Sequence, residues 1–171
     1  MSQTLYLLRH AKAEPWSPGS NDFERALAQR GHDHMQHLSA WAQEKLPAPE
    51  SALCSSSLRT RETLLPLLGI WPRLSKGTTY LDEIYEASAG SLHALAGQAF
   101  HSSESILMVG HNPGFEQFLL GVLHDLDAAK ITKMATGVLA VIEFPNGYDH
   151  VCGQGLLRHW VKRKDLSIRA C

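Results

Sequence analysis

Short apolar runs alternate with amphipathic stretches along this chain. Residues 4–9 (TLYLLR) form a nearly unbroken apolar run, bounded by the turn-rich EPWSPGSND stretch, and read as a first strand. From 28 to 46, Met35, Leu38, Ala42 and Leu46 recur at three- and four-residue steps, which predicts a helix. The stem of Lys45 is expected to lie along that apolar face, and Pro47 and Pro49 end the helix. SALCSS predicts a second strand, and 58–68 a helix stopped by Gly69. TTYLDEIYEAS holds a third extended segment and a loop, and 91–100 another helix. SILMVGH is the clearest strand, closed by Gly110 and His111, and Pro113 opens a helix that GFEQFLLGVL continues. GVLAVIEF and GQGLLRHWV predict two late strands joined by the PNGYD turn.

This alternation predicts an α/β fold of three layers, αβα, with a mostly parallel sheet and helices on both faces. The last two strands are expected as an antiparallel pair at one side. At 171 residues the chain is expected to form one domain, 1–171, large enough to bury its own core. Ligands of such folds bind at the carboxyl ends of the strands. Arg9 and His10 end the first strand, Ser55 to Arg59 follow the second, and His111 ends the later one.

Composition narrows the function. Hydrophobic residues make up 44% and charged residues 19%, an ordinary globular balance. A formal charge of -1 supplies no global field for nucleic acid or a membrane surface, so affinity for anions must come from a local cluster. Cys54, Cys152 and Cys171 are an odd number without metal-site spacing, which fits a reducing compartment. No run reaches the ~18 apolar residues of a membrane helix, nor does a leader pattern open the chain. A soluble, cytoplasmic protein is expected, with a monomer as the simplest state.

A phosphate dianion needs several donors and positive charges converging on its oxygens. Arg9, Arg59 and an imidazolium at His111 have the chemistry to surround one, since the planar guanidinium makes paired bonds to phosphate. Amides at a helix start after Ser57 add partial positive charge. His10 then serves as nucleophile through a covalent intermediate, and the cations replace any metal or cofactor. Taken singly, each piece has a plainer reading: a solvated strand edge for Arg9-His10, a loop residue for His111, serine caps and an acidic first turn for SSSLRTRET.

Taken together and in order, LLRHAKAE, NDFERALAQRG, SSSLRTRET, YLDEIYEAS and VGHNPG resemble the histidine phosphatase (phosphoglycerate mutase-like) superfamily. The nearest pattern is its small bacterial branch, the SixA-type phosphohistidine phosphatases. The resemblance spans Leu5 to about Leu123. It implies a Rossmann-like core, a phosphorylated His10, and a substrate pocket of Arg9, Arg59, His111 and Asn112 without metal. It also implies a phosphorylated partner protein, such as a histidine phosphotransfer domain, or a small phosphoester as substrate. Ala11 stands where many members have glycine, and Ser55-Ser56 where many have Ser-Pro.

By resemblance to the mutase branch, Glu83 in LDE is the general acid, with Asp82 as fallback and Glu86 behind it. A plain surface carboxylate is the alternative for each. Asp22 and Arg25 resemble the small branch's supporting pair, or else form a loop salt bridge. In HDHMQH, His32, His34 and His37 do not share a helix face as metal ligands would, and a solvated helix surface is expected. RHWVKRK reads as an exposed strand and tail.

Rival functions differ in what they require. A cysteine phosphatase would use Cys54, yet its phosphate loop needs a longer spacing than the four residues between Cys54 and Arg59. A small-molecule phosphomonoesterase would use the same pocket. A phosphate-binding scaffold would keep the pocket without turnover, and a mutase would need a closed pocket that no long insertion supplies.

Overall fold

In the computed structural model, which describes residues 1–149 and 153–166, six strands form one sheet in the order β3-β2-β4-β1-β5-β6. The strands are β1 (Gln3–Arg9), β2 (Ser51–Ser55), β3 (Thr78–Leu81), β4 (Ser105–Gly110), β5 (Leu139–Phe144) and β6 (Leu156–Val161). β3, β2, β4 and β1 run parallel, whereas β5 and β6 are antiparallel to their neighbours. The expected antiparallel pair thus sits at one side, through β5 against β1. The helices are α1 (Gln29–Lys45), α2 (Leu58–Ile70), α3 (Ala89–Phe100), α4 (Gly114–Val122) and the short α5 (Asp125–Ala128).

Side chains alternate across β1. Tyr6 and Leu8 enter one core with Met35 and Leu38 of α1 and Leu64 and Leu67 of α2. Leu5 and Leu7 enter the other with Leu92 of α3 and Phe115 and Phe118 of α4. Burial on both faces explains why β1 reads as continuous hydrophobicity. Two helical layers around a sheet make the αβα arrangement, and they leave the strand ends as the place for polar chemistry.

Several local expectations need correction. α2 runs through Gly69 to Ile70, because Gly69 keeps a helical backbone and Trp71 N–H donates to the Leu67 carbonyl at 2.9 Å. The Lys45 ammonium, on a side chain 52% exposed, pairs with Glu44 at 2.7 Å. The α1 surface is not uniformly solvated: His37 is exposed, but His34 is buried at 3%. A 3-10 turn, Arg163–Leu166, follows β6 where a tail was expected. Cys152 and Cys171 lie outside the described residues. No described helix is long and apolar enough to cross a membrane.

Candidate active site

β1 and β4 end side by side. Arg9 is in register with Gly110, and His10 N–H donates to the Gly110 carbonyl at 3.0 Å. The next residues therefore emerge together, and the rings of His10 and His111 lie 5.3 Å apart between centroids. Gly110 lets Phe115 and Ile84 close over the end of β4, since a Cβ there would lie 2.5 Å from Phe115 and 2.8 Å from Ile84.

His10 is 7% exposed, and its Nδ1 lies 2.7 Å from the Ala11 carbonyl. A carbonyl only accepts, so Nδ1 carries the proton and Nε2 keeps a lone pair. Burial, reinforced by the charges of Arg59 and Arg9, pushes the imidazole down to a pKa of about 4. His10 is therefore neutral at pH 7, the form a nucleophile needs.

Arg59, on the first turn of α2, is 5% exposed. Its Nη1 donates to the Asp22 carbonyl at 2.6 Å and its Nη2 to Asp22 Oδ2 at 3.0 Å. Asp22 also accepts from Arg25 Nε at 3.0 Å and from Tyr85 Oη at 2.7 Å. The Tyr85 hydroxyl bond, with Arg59 and Arg25 beside it, holds this carboxyl below the usual range. Asp22 is thus the hub of the pocket wall, more than a loop salt bridge. Tyr85 was not foreseen. Its ring packs against Phe23 and His111 at 5.1 and 5.4 Å and lies under the Arg59 guanidinium.

Arg9 Nη1 donates to the Met134 carbonyl at 2.8 Å, and Asn112 Nδ2 to the same carbonyl at 3.0 Å. Glu116 fixes that loop by accepting from Met134 N–H at 2.7 Å. Neither the Met134 carbonyl nor Glu116 carries any signal in a single sequence. Five buried side-chain polar atoms lack partners among the described residues, and four belong here: Arg9 Nε, Arg59 Nε, His111 Nδ1 and Asn112 Oδ1. Such clustering is unusual for buried polar groups. The guanidinium members are donors that suit an anion.

His111 differs from its expected state. Its Nε2 lies 2.9 Å from Ser55 Oγ and 3.4 Å from Ser57 Oγ. Burial, then the nearby His10 and Arg59, lower its pKa to about 3, so it is neutral in the free site and the expected imidazolium is absent. In the tautomer where Ser55 donates to Nε2, the buried Nδ1–H is a third free donor. Ser57 occupies the N-cap of α2 without capping it; its hydroxyl lies 2.7 Å from Thr60 Oγ1.

Glu83 and Asp82 lie on the 3-10 turn after β3, at the same end of the sheet, and both are exposed. No hydrogen bond or ion pair holds Glu83 among the described residues, and Glu86 is likewise exposed. The structure thus gathers Arg9, His10, Arg59, His111 and Asn112, and leaves Glu83 untethered at the rim. Cys54 is fully buried within β2, and burial pushes its thiol up to about 12, which removes the thiolate a cysteine phosphatase requires.

No protein-family model matches the chain. An uncharacterized protein of Mycobacterium tuberculosis is 29% identical over 106 residues, 62% of this chain and 63% of that protein. The match thus spans less than two thirds of that curated relative. Among solved structures, a protein of Agrobacterium tumefaciens, provisionally named phosphohistidine phosphatase SixA, is 28% identical. It superposes with a TM-score of 0.80 over 94% of this chain and 97% of that one. A SixA-named protein of Nakamurella, 24% identical, gives 0.78 over 95% and 98%, a likeness of fold. In fold and in sequence the chain is thus similar to the histidine phosphatases.

That likeness gives the free donors a context. Terminal guanidinium nitrogens are spent on Met134 and Asp22, which fixes each fork while its Nε–H stays unpartnered. Preorganised donors of this sort stabilise charge without reorganising during reaction.

Proposed function

We propose that the protein hydrolyses phosphohistidine on a partner protein through a covalent phosphohistidine at its own His10. The observation that carries this reading is the neutral, buried His10 imidazole, its Nδ1–H tied to the Ala11 carbonyl beside donors that lack acceptors. In the first step Nε2 attacks phosphorus, a new N–P bond forms, and the partner's N–P bond breaks. The departing imidazole takes a proton from solvent. In the second step water attacks phosphorus, the His10 N–P bond breaks, and phosphate leaves with the lone pair restored to Nε2.

Arg9, Arg59 and Asn112 orient the phosphoryl group, and His111 donates to it. The charge of the two arginines supports a reaction independent of metals and cofactors. An untethered Glu83 favours phosphohistidine over alkyl phosphates, because imidazole leaves without a dedicated acid. A cytoplasmic, monomeric single-domain enzyme is part of the reading.

Rapid quench with a labelled phosphohistidine phosphotransfer domain, in excess chelator, tests it. Acid-labile, base-stable label is expected at His10 and none in His10→Ala. Label elsewhere overturns the mechanism. A higher kcat/KM for small phosphoesters moves the substrate to that class, and binding without turnover makes the protein a scaffold.

A further inference from the structure

A groove of about 660 Å³ lies beside the catalytic end of the sheet, between α1, the loop at 135–138 and the turn after β6. Arg30, His34 and His37 line it from one face of α1, and Lys162, Arg163 and Lys164 from the turn. Among the described residues no carboxylate lines it. With 16 Lys and Arg against 17 Asp and Glu overall, four such cations around one concavity are a local concentration. Arg30, Arg163 and Lys164 enter none of the ion pairs among the described residues.

One loop joins this groove to the nucleophile. Gly137 N–H donates to the carbonyls of Arg9 and His10 at 3.1 and 2.9 Å. Gly137 has φ +73, and a Cβ on it would overlap the His34 ring, so α1 lies directly against the loop that holds His10. A macromolecule presenting phosphate to His10 meets the groove with its adjoining surface.

We propose that the groove docks an acidic segment next to the phosphorylated residue of the protein substrate. The inference rests on the phosphoprotein reading above. An open groove rimmed by long, unpaired cations suits several carboxylates spread along a chain, and it would steer such a partner toward the site. The chain's own balance of charge gives no such preference, so selectivity comes from this face alone.

The test compares two phosphohistidine peptides, one flanked by Asp and Glu and one by Ser and Gly, with the full chain at low salt. The acidic peptide is expected to have about tenfold higher kcat/KM, through KM, and the preference should fade at high salt. In Arg30→Ala/Arg163→Ala/Lys164→Ala the ratio should approach one; these side chains are exposed, so the fold is retained. An unchanged ratio in that variant overturns the proposal. If neither peptide turns over, the hydrolase reading fails separately, and anisotropy of the unphosphorylated acidic peptide decides the groove. Weakening by about tenfold in the triple variant supports docking; equal binding overturns it. Pyrophosphate that displaces the peptide at lower concentration than the peptide itself binds would make the groove a small-molecule site, and would also overturn docking.

Discussion

His10 and His34 flank the loop at Gly137, His10 through its backbone carbonyl and His34 through its ring, and burial lowers both imidazoles to a pKa of about 4. Their surroundings nevertheless differ. His10 has its Nδ1 proton fixed by the Ala11 carbonyl and stands beside arginines whose Nε–H groups lack acceptors. His34 fills the space over Gly137, its Nε2 has no partner, and it lines the basic groove. A depressed pKa therefore reports burial among cations. A fixed tautomer amid converging donors is what marks a nucleophile.

Mutation should separate the two rings widely. His10→Ala is expected to lower kcat on nitrophenyl phosphate by about 10,000-fold or more, since it removes the proposed nucleophile. His34→Ala should lose less than about tenfold in kcat and instead destabilise the fold by about 2 kcal/mol, because a packed ring leaves a cavity. Comparable activity losses in both variants, with folding intact, would break the distinction.

The same contrast shows what a single sequence discloses. Arg9, His10 and His111 are legible because each directly follows an apolar run, so local pattern places them at strand ends. The layer order was equally legible from alternation. His34 looked like one of three polar histidines on a helix surface; its burial depends on Gly137, a hundred residues away in chain terms and unmarked by any period. Tyr85 and the Asp22–Arg59 pair are likewise tertiary facts, made when three loops meet. The neutral state of His111 was illegible too, since it follows from desolvation and from the charges around it.

Arg59→Ala should cost about 100 to 1,000-fold in kcat, the usual loss for one preorganised donor. It also frees Asp22, whose carboxylate would then face incoming phosphate with only Arg25 and Tyr85 beside it. Asp22→Asn leaves one acceptor oxygen and sets an N–H against the donors of Arg25 or of Arg59 and Tyr85. It should loosen the wall yet lose less than Arg59→Ala, which removes a charge. Full activity in Arg59→Ala would remove it from the pocket. Cys54→Ser should leave turnover near that of the parent chain, as a thiol buried within β2 takes no part.

Acid sharpens the comparison on the stability side. His10, His34 and His111 have folded-state pKa values of about 4, 4 and 3 against an ordinary 6.5. The unfolded chain therefore binds more protons than the folded one as pH falls below 6.5. Their contribution to stability is fully present above 6.5 and is lost as pH drops toward 4. Urea midpoints should decline steadily over that window, and His34→Leu should flatten the decline. A midpoint independent of pH would show that these rings are not buried neutral.

The smallest effect is expected at the rim. Glu83 is exposed, with no hydrogen bond or ion pair to aim it. A positioned acid contributes ~100 to 10,000-fold, and an unpositioned one should fall below that range. The size of the loss should also follow the leaving group. Nitrophenolate departs without a proton, so Glu83→Gln should change its hydrolysis less than about twofold. An alkoxide needs a proton in the transition state, so alkyl phosphates should lose about tenfold. Phosphohistidine should fall between, because its imidazole takes a proton from water near neutral pH. Equal losses on all three substrates would mean that Glu83 supports the turn after β3, and the acid should then be sought at Asp82 or Glu86. If no substrate is affected, the site works without a dedicated acid, and a pocket of that kind is suited to cleaving N–P bonds, whose leaving group least needs one.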